Sequence, residues 1–297
     1  MKKNNWFFLL ILTGIFLFLS ACQPNIPPQD GLRVIAVENF LADMTQRVAG
    51  DRVKVQTLIP INVDPHAFEP TPHDIANISE SQVLVINGGG IETWLNPVLN
   101  NAGGQRLIIE ASKGLKSRSA PEIDPHFWMD PNNSITYIKN IRDGLIKADP
   151  AGAAQYQANA DDYIQQLKEL DRWINEQVKQ IPPEKRLLVT NHESLGYFAD
   201  RYGFKVIGTI IPGFSTDSAP SAQEIARLIN QIRATGSKAV FIEVGANQDM
   251  ARQIASETGV RVVTNLYTES LTDANGPAPS YIEMLKMDVA TMVQVLK

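Results

Sequence analysis

The strongest constraint on the fold is an uninterrupted amphipathic segment in the middle of the chain, residues 151–180. It contains no proline and no glycine beyond Gly152, and Asp149 and Pro150 before it form a typical helix start. Its apolar residues recur at three- and four-residue spacing: Tyr156, Ala160, Tyr163, Leu167, Leu170, Ile174 and Val178. The pattern predicts one helix of about 30 residues, about 45 Å long. A coiled-coil arm is one arrangement for such a helix, but a single uniform stripe favours a spine across two lobes.

Strand-like and helix-like segments alternate on both sides of this helix. Strands are predicted at residues 33–37, 53–59, 83–86, 106–109, 186–190, 205–210, 239–243 and 261–264. Helices are predicted at residues 40–48, 74–81, 92–100, 195–202, 221–235, 249–258 and 281–296. This alternation is typical of the α/β class with mainly parallel sheets. We therefore expect two (β/α) lobes, residues 32–148 and 182–297, joined by a rigid connecting helix, residues 149–181.

The first 21 residues have the pattern of a signal peptide. Lys2 and Lys3 precede an apolar run at residues 6–19, which is too short to span a membrane comfortably. Residues 19–22, Leu-Ser-Ala-Cys, resemble a bacterial lipobox, which implies cleavage before Cys22 and a lipid on its sulfur. The alternative is a free cysteine beside an ordinary cleavage site. Residues 22–31 are proline-rich and predict a tether, so we expect an extracytoplasmic protein anchored to the membrane of a bacterial envelope.

Composition restricts the partners. Of 27 basic and 32 acidic residues, the predicted signal peptide holds two lysines, so the mature chain has 25 against 32, a net charge of −7. No basic stripe favours nucleic acid. Cys22 is the single cysteine, so the chain cannot form an internal disulfide. We expect a monomer with no nucleic-acid partner.

Three of the four histidines follow strand-like runs: His66, His126 and His192. Ligands of open α/β sheets gather at the carboxyl ends of the strands, so these imidazoles are expected at one cleft. Neutral imidazole is a ligand for zinc, copper, iron and nickel. Asp64 and Asp124 each precede a Pro-His pair and are placed to orient an imidazole through its other nitrogen. The alternative is that each Asp-Pro is an ordinary turn beside an incidental histidine.

Two acids are candidates for a fourth ligand. Glu269 follows the last predicted strand and Glu243 ends another, so either can complete a three-histidine site. We expect Glu243 to contact a ligand or a helix terminus rather than the metal, while a solvated loop acid is the alternative for Glu269. His73 lies at a helix start and is predicted to be a surface residue. The three glycines at 88–90 lack a phosphate-loop pattern and predict a tight turn.

Together these motifs resemble the metal-binding lipoproteins that serve ABC importers for zinc and manganese. The resemblance covers residues 33–297. It rests on Asp64-Pro65-His66 with Glu69-Pro70-Thr71-Pro72, Asn87-Gly88 with Glu92 and Trp94-Leu95, Asp124-Pro125-His126-Phe127-Trp128-Met129-Asp130-Pro131, Asn191-His192 with Phe198 and Tyr202-Gly203, Glu243, and residues 276–281. It implies two lobes, one rigid helix, and a metal held between the lobes by His66, His126, His192 and Glu269. Two features depart from the family: it often has Asp where this chain has Glu269, and residues 113–123 carry no histidine-rich loop.

The expected function is therefore capture of Zn²⁺, or Mn²⁺, as a transported ligand for an ABC importer permease. Three imidazoles and one carboxylate suit zinc, whereas a manganese site is expected to carry more oxygen. A metal-holding surface adhesin is an alternative. A zinc hydrolase is a weaker one: Glu193 beside His192 could act as a base, but the residue four after His192 is Gly196, so the H-E-x-x-H motif is absent.

Overall fold

The computed structural model describes residues 31–119 and 121–297. The predicted signal peptide, Cys22 and residues 22–30 of the tether lie outside the described residues. Within the described ranges, every helix is too short or too polar to span a membrane.

The first lobe is built on a four-stranded parallel sheet. Its strands are β1 (Val34–Ala36), β2 (Val55–Thr57), β3 (Val83–Ile86) and β4 (Leu107–Glu110), in the order β2-β1-β3-β4. Its helices are α1 (Asn39–Ala49), α2 (Pro72–Glu80), α3 (Leu95–Ala102) and α4 (Pro131–Ala148). The central strands β1 and β3 are almost wholly buried, as their continuous apolar character predicts.

Helix α4 was not among the helices predicted from the sequence. Pro131 is its first residue and the Asp130 side chain accepts the backbone N–H of Asn132, which is a regular helix start. Gly144 interrupts the helix pattern for a packing reason, because a Cβ at this position would lie 2.3 Å from Cδ1 of Ile109 in β4. The glycine therefore lets α4 approach the sheet closely.

The second lobe repeats this architecture. Its strands are β5 (Leu187–Thr190), β6 (Lys205–Thr209), β7 (Ala239–Glu243) and β8 (Arg261–Leu266), all parallel in the order β6-β5-β7-β8. Its helices are α6 (Gly196–Tyr202), α7 (Ala222–Thr235), α8 (Asp249–Thr258) and α9 (Tyr281–Leu296). The predicted capping box of α7 is present between Ser221 and Glu224. The two parallel sheets confirm the predicted fold class.

The long joining helix α5 (Ala153–Val178) confirms the predicted spine. It packs against α1 and α4 of the first lobe and α9 and α6 of the second. Its apolar stripe is buried in a hydrophobic core that includes residues of both lobes. The α-helix is shorter than expected, 26 residues, because Pro150–Gly152 forms a 3₁₀ turn before it.

Asp149 occupies the predicted N-cap position before Pro150, but its side chain has another role. Its side chain caps no backbone N–H; instead it forms a buried, bidentate ion pair with Arg52, in which Nη2 lies 3.0 Å from Oδ1. The hydroxyl of Tyr156 donates to its other oxygen at 2.7 Å. The hydrogen bond from Arg52 holds the pKa of Asp149 below its usual value although burial opposes this. The pair fixes the start of the spine to the first lobe.

Candidate metal centre

The structure brings together four side chains that the sequence places far apart. His66 lies in the loop after β2, His126 directly precedes the 3₁₀ turn Phe127–Met129, His192 follows β5, and Glu269 follows β8. One ligand atom from each residue lies within 4.8 Å of the others. All four come from segments that follow strands of parallel sheets, which is where ligands of α/β proteins gather.

The atoms that face the centre of this cluster are three Nε2 nitrogens and one carboxylate oxygen. His126 Nε2 lies 3.3 Å from His66 Nε2, 3.1 Å from His192 Nε2 and 3.1 Å from Glu269 Oε1. Glu269 Oε1 is also 3.1 Å from the Nε2 atoms of His66 and His192. Bonds of about 2.0 Å in a tetrahedral zinc site separate the ligands by about 3.3 Å. One nitrogen cannot form good hydrogen bonds to three such partners, so the arrangement is that of ligands around a cation.

The burial of the three histidines and the negative charge of the neighbouring carboxylates favour a bound cation. His126 and His192 are wholly buried and His66 nearly so. Burial alone would lower the pKa of His192, but the carboxylates of Glu243 and Glu269 raise it well above the ordinary value. Burial alone would raise the pKa of Glu269, but the neighbouring histidines hold it well below the ordinary value. Glu269 is therefore an anion at neutral pH.

Two acids lie against the outer nitrogens of two imidazoles. Asp124 Oδ1 accepts a hydrogen bond from His126 Nδ1 at 2.9 Å, which leaves the lone pair of Nε2 directed at the cluster. Burial lowers the pKa of His126, but Asp124 and Glu269 raise it to a net value above the ordinary one. Glu243 Oε1 lies 3.1 Å from His192 Nδ1 and accepts the hydroxyl of Ser194 at 2.8 Å. Glu243 thus contacts the outer side of His192, and Glu269 the inner side.

Asp64 differs from its expected role. One oxygen accepts the backbone N–H of His66 at 2.8 Å and the other accepts the hydroxyl of Thr216 at 2.5 Å. Asp64 therefore fixes the loop that carries His66, and ties it to the second lobe, instead of binding the imidazole.

The loop that carries Glu269 is held by the first lobe, through residues that the sequence reasoning missed. The indole N–H of Trp128 donates to the carbonyl of Thr268 at 2.7 Å. Asn39 accepts the backbone N–H of Leu271 at 2.8 Å and donates to the hydroxyl of Ser270 at 3.2 Å. Trp128 carried one signal, since a buried indole N–H needs an acceptor. The fourth side chain of the cluster is thus positioned by both lobes.

The turn that carries His126 rests on the glycine run. The side chain of Asn87 donates to the carbonyl of Pro125 at 3.0 Å. Gly89 has φ +67°, and a Cβ there would lie 3.0 Å from the ring of Phe127. This is a tight turn packed against the ligand loop, as predicted. His73 lies exposed in the first turn of α2, outside the cluster.

The family model described as zinc-uptake complex component A, periplasmic, matches residues 34–295. The chain belongs to this family. The manganese-binding lipoprotein MntA of Halalkalibacterium halodurans is 31% identical over 301 residues, covering 100% of this chain and 99% of the relative. The iron-binding protein YfeA of Yersinia pestis is 29% identical, covering 97% of this chain and 94% of that protein.

Solved structures of similar proteins support this family assignment. The periplasmic zinc-binding protein TroA of Treponema pallidum has a TM-score of 0.83 at 26% identity, covering 89% of this chain and 98% of that one. The manganese-bound periplasmic metal-binding protein of Candidatus Liberibacter asiaticus has a TM-score of 0.79 at 29% identity, covering 89% and 99%. As a member of the zinc-uptake component family, the chain is a metal-binding protein of an ABC importer and not an enzyme.

Proposed function

We propose that this chain captures Zn²⁺ between its two lobes and delivers it to the permease of an ABC importer. The ligands are His66, His126, His192 and Glu269. The observation that carries the proposal is the convergence of three Nε2 atoms and one carboxylate oxygen at separations of 3.1–3.3 Å. With four protein ligands the ion has no position left for a reacting water, which suits transport rather than hydrolysis.

Manganese is the second candidate cargo, because two relatives that match the whole chain are named as a manganese-binding lipoprotein and as a manganese ABC transporter substrate-binding lipoprotein. The donor set favours zinc, since three of its four atoms are imidazole nitrogens and manganese prefers oxygen. Affinity measured in vitro does not decide between them, because nitrogen sites bind zinc more tightly than manganese in general. The deciding measurement is the metal content of protein isolated from its native envelope under metal-replete growth.

Zinc should stabilise the folded protein. An ion that binds only the folded state at a hundredfold excess over Kd adds about 2.7 kcal/mol. Protons compete with zinc for the imidazoles, and the pKa values of His126 and His192 lie above the ordinary value, so the gain should fade as pH falls through that raised range. Thermal unfolding at pH 7.5 and at pH 5, with zinc and with chelator, measures both effects. A melting temperature that zinc leaves unchanged at pH 7.5 contradicts the proposal.

The proposed location of the protein in the cell depends on Cys22. Relatives are named as periplasmic proteins or as lipoproteins, and we propose that a lipid on Cys22 anchors this chain outside the cytoplasmic membrane. Cys22→Ser should move the protein from the membrane fraction to the soluble fraction while zinc affinity stays unchanged. Immunoblots of separated fractions from cells that express each form measure the shift. Equal membrane association of parent and variant argues against the anchor.

A further inference from the structure

The two lobes touch at the surface above the metal centre, at Asn62 and Gly245. Asn62 lies in the loop between β2 and α2, and Gly245 in the loop between β7 and α8; both residues are exposed. A Cβ built on Gly245 would lie 2.9 Å from the carbonyl oxygen of Asn62, closer than real Cβ contacts come. The two loops therefore meet backbone to backbone, at a distance that glycine permits and a side chain does not.

The first-lobe side of this contact is held under local strain. Asn62 has φ +62° and is the one non-glycine residue with positive φ within residues 31–119 and 121–297. Asn tolerates this conformation better than most residues, at some cost in free energy. Its backbone N–H donates to the hydroxyl of Ser270 at 2.8 Å, and Asp64 in the same loop accepts the hydroxyl of Thr216. Both partners belong to the second lobe, so the loop is fixed across the cleft.

A small cavity lies at this contact. It has a volume of about 70 Å³, enough for water molecules, and it reaches a proposed ligand. Its lining includes three carboxylates, one further amide and the two contact residues: Asp64, Glu243, Glu269, Asn191, Asn62 and Gly245. His126 and His192 have no exposed surface themselves. A cavity with carboxylate and amide oxygens suits a divalent cation that still carries part of its water shell.

We propose that the metal enters and leaves through this cavity, and that the Asn62–Gly245 contact closes it. The inference rests on the proposed function, because it concerns the exchange of the ion bound by the four ligands. A departing ion would pass Glu269 first and then the carboxylates of Asp64 and Glu243. The proposed opening does not require the lobes to separate, because the loop of Gly245 can move away while the hydrogen bonds of the first-lobe loop to Ser270 and Thr216 stay in place.

Gly245→Ala tests the closure. The added methyl group must push the loops apart, so zinc release to excess chelator, followed by stopped flow, should become about tenfold faster. Gly259→Ala is the matched control, because Gly259 has φ +76° with no atom within 4 Å of its built Cβ. It carries similar backbone strain without a clash and should release zinc at the parent rate. Equal rates for the two variants overturn the inference.

A disulfide gives the opposite test. The Cβ built on Gly245 lies 3.7 Å from the Cβ of Asn62. The small shift that relieves its 2.9 Å contact with the Asn62 carbonyl oxygen still leaves this separation within the range of about 3.5–4.5 Å found in disulfides. The protein with Asn62→Cys, Gly245→Cys and Cys22→Ser should release zinc at least about tenfold more slowly after oxidation by oxidised glutathione than after reduction. Equal rates in the two states, in a protein that binds zinc, overturn the exchange route. A parent protein that binds no zinc overturns the proposed function itself.

Discussion

His126→Ala is expected to weaken zinc binding by about a hundredfold or more, about 2.8 kcal/mol. His126 Nε2 is within 3.3 Å of a ligand atom of each of the other three residues, so its loss removes a central donor. The change also leaves the wholly buried carboxylate of Asp124 without its imidazole donor. Titration of zinc against a competing chelator measures the effect.

The control is His73→Ala, which replaces an exposed histidine outside the cluster and should leave zinc affinity unchanged. If His73→Ala weakens zinc binding as much as His126→Ala, the ligand assignment is wrong.

Glu269→Gln and Glu243→Gln distinguish the two acids in the same titration. Glu269→Gln removes the charge beside the ion but keeps an oxygen, and should cost less than the histidine change. A neutral Glu269→Gln with a severe Glu243→Gln would make Glu243 the ligand.

Asp149→Ala is expected to lower the free energy of unfolding by about 3–5 kcal/mol. The change leaves the guanidinium of Arg52 buried and without its carboxylate partner, and removes the acceptor of the Tyr156 hydroxyl. Urea unfolding of the metal-free protein at pH 7 measures the loss. Asp143→Ala is the control, because the Asp143 side chain is 64% exposed in its pair with Arg142 and should cost at most about 1 kcal/mol.

The pH dependence of this loss has a definite sign. The pKa of Asp149 is lower in the folded protein than its ordinary value, chiefly through Arg52. The ion pair therefore stabilises the folded protein fully above the pKa of an unfolded aspartate, about 3.9. This stabilisation is lost as pH falls through the lower pKa that Asp149 has in the folded protein. The difference in free energy of unfolding between the parent and Asp149→Ala should shrink in that acid range. A difference that grows there would contradict the role given to the ion pair.

The sequence predicts the fold class because periodicity is a local property. Each strand is a short apolar run and each lobe repeats the same alternation, so two parallel sheets and a long helix follow directly. Helix α4 was not predicted, although Asp130 before Pro131 is the same start signal as Asp149 before Pro150. The contact between its Gly144 and Ile109 of β4 is long-range and has no local signal. Asp149 occupies the predicted N-cap position, but its ion pair with Arg52 leaves no local signal, because the two residues lie 97 positions apart.

The three histidines of the candidate site could be predicted because they follow strands. Which acid faces the centre of the cluster could not be predicted. Glu243 and Glu269 both follow or end strands of the second lobe, so spacing alone cannot distinguish them. The structure separates them by the nitrogen of His192 that each contacts: Nδ1 for Glu243 and Nε2 for Glu269. The hydrogen bond from Trp128 to Thr268 joins residues 140 positions apart, so no periodic pattern in the sequence predicts it.

The core that surrounds α5 limits how this protein can move. Tyr163 and Leu167 on the spine belong to the same apolar cluster as Met284 of α9, so swinging the lobes apart as rigid bodies would expose buried side chains to water. Each large apolar side chain exposed in this way costs about 1.5–3 kcal/mol. We therefore expect the distance between the two sheets to change little between the empty and the loaded protein. A permease that must tell these two states apart has to recognise the conformation of a few surface loops and the charge of the site, not the angle between two lobes.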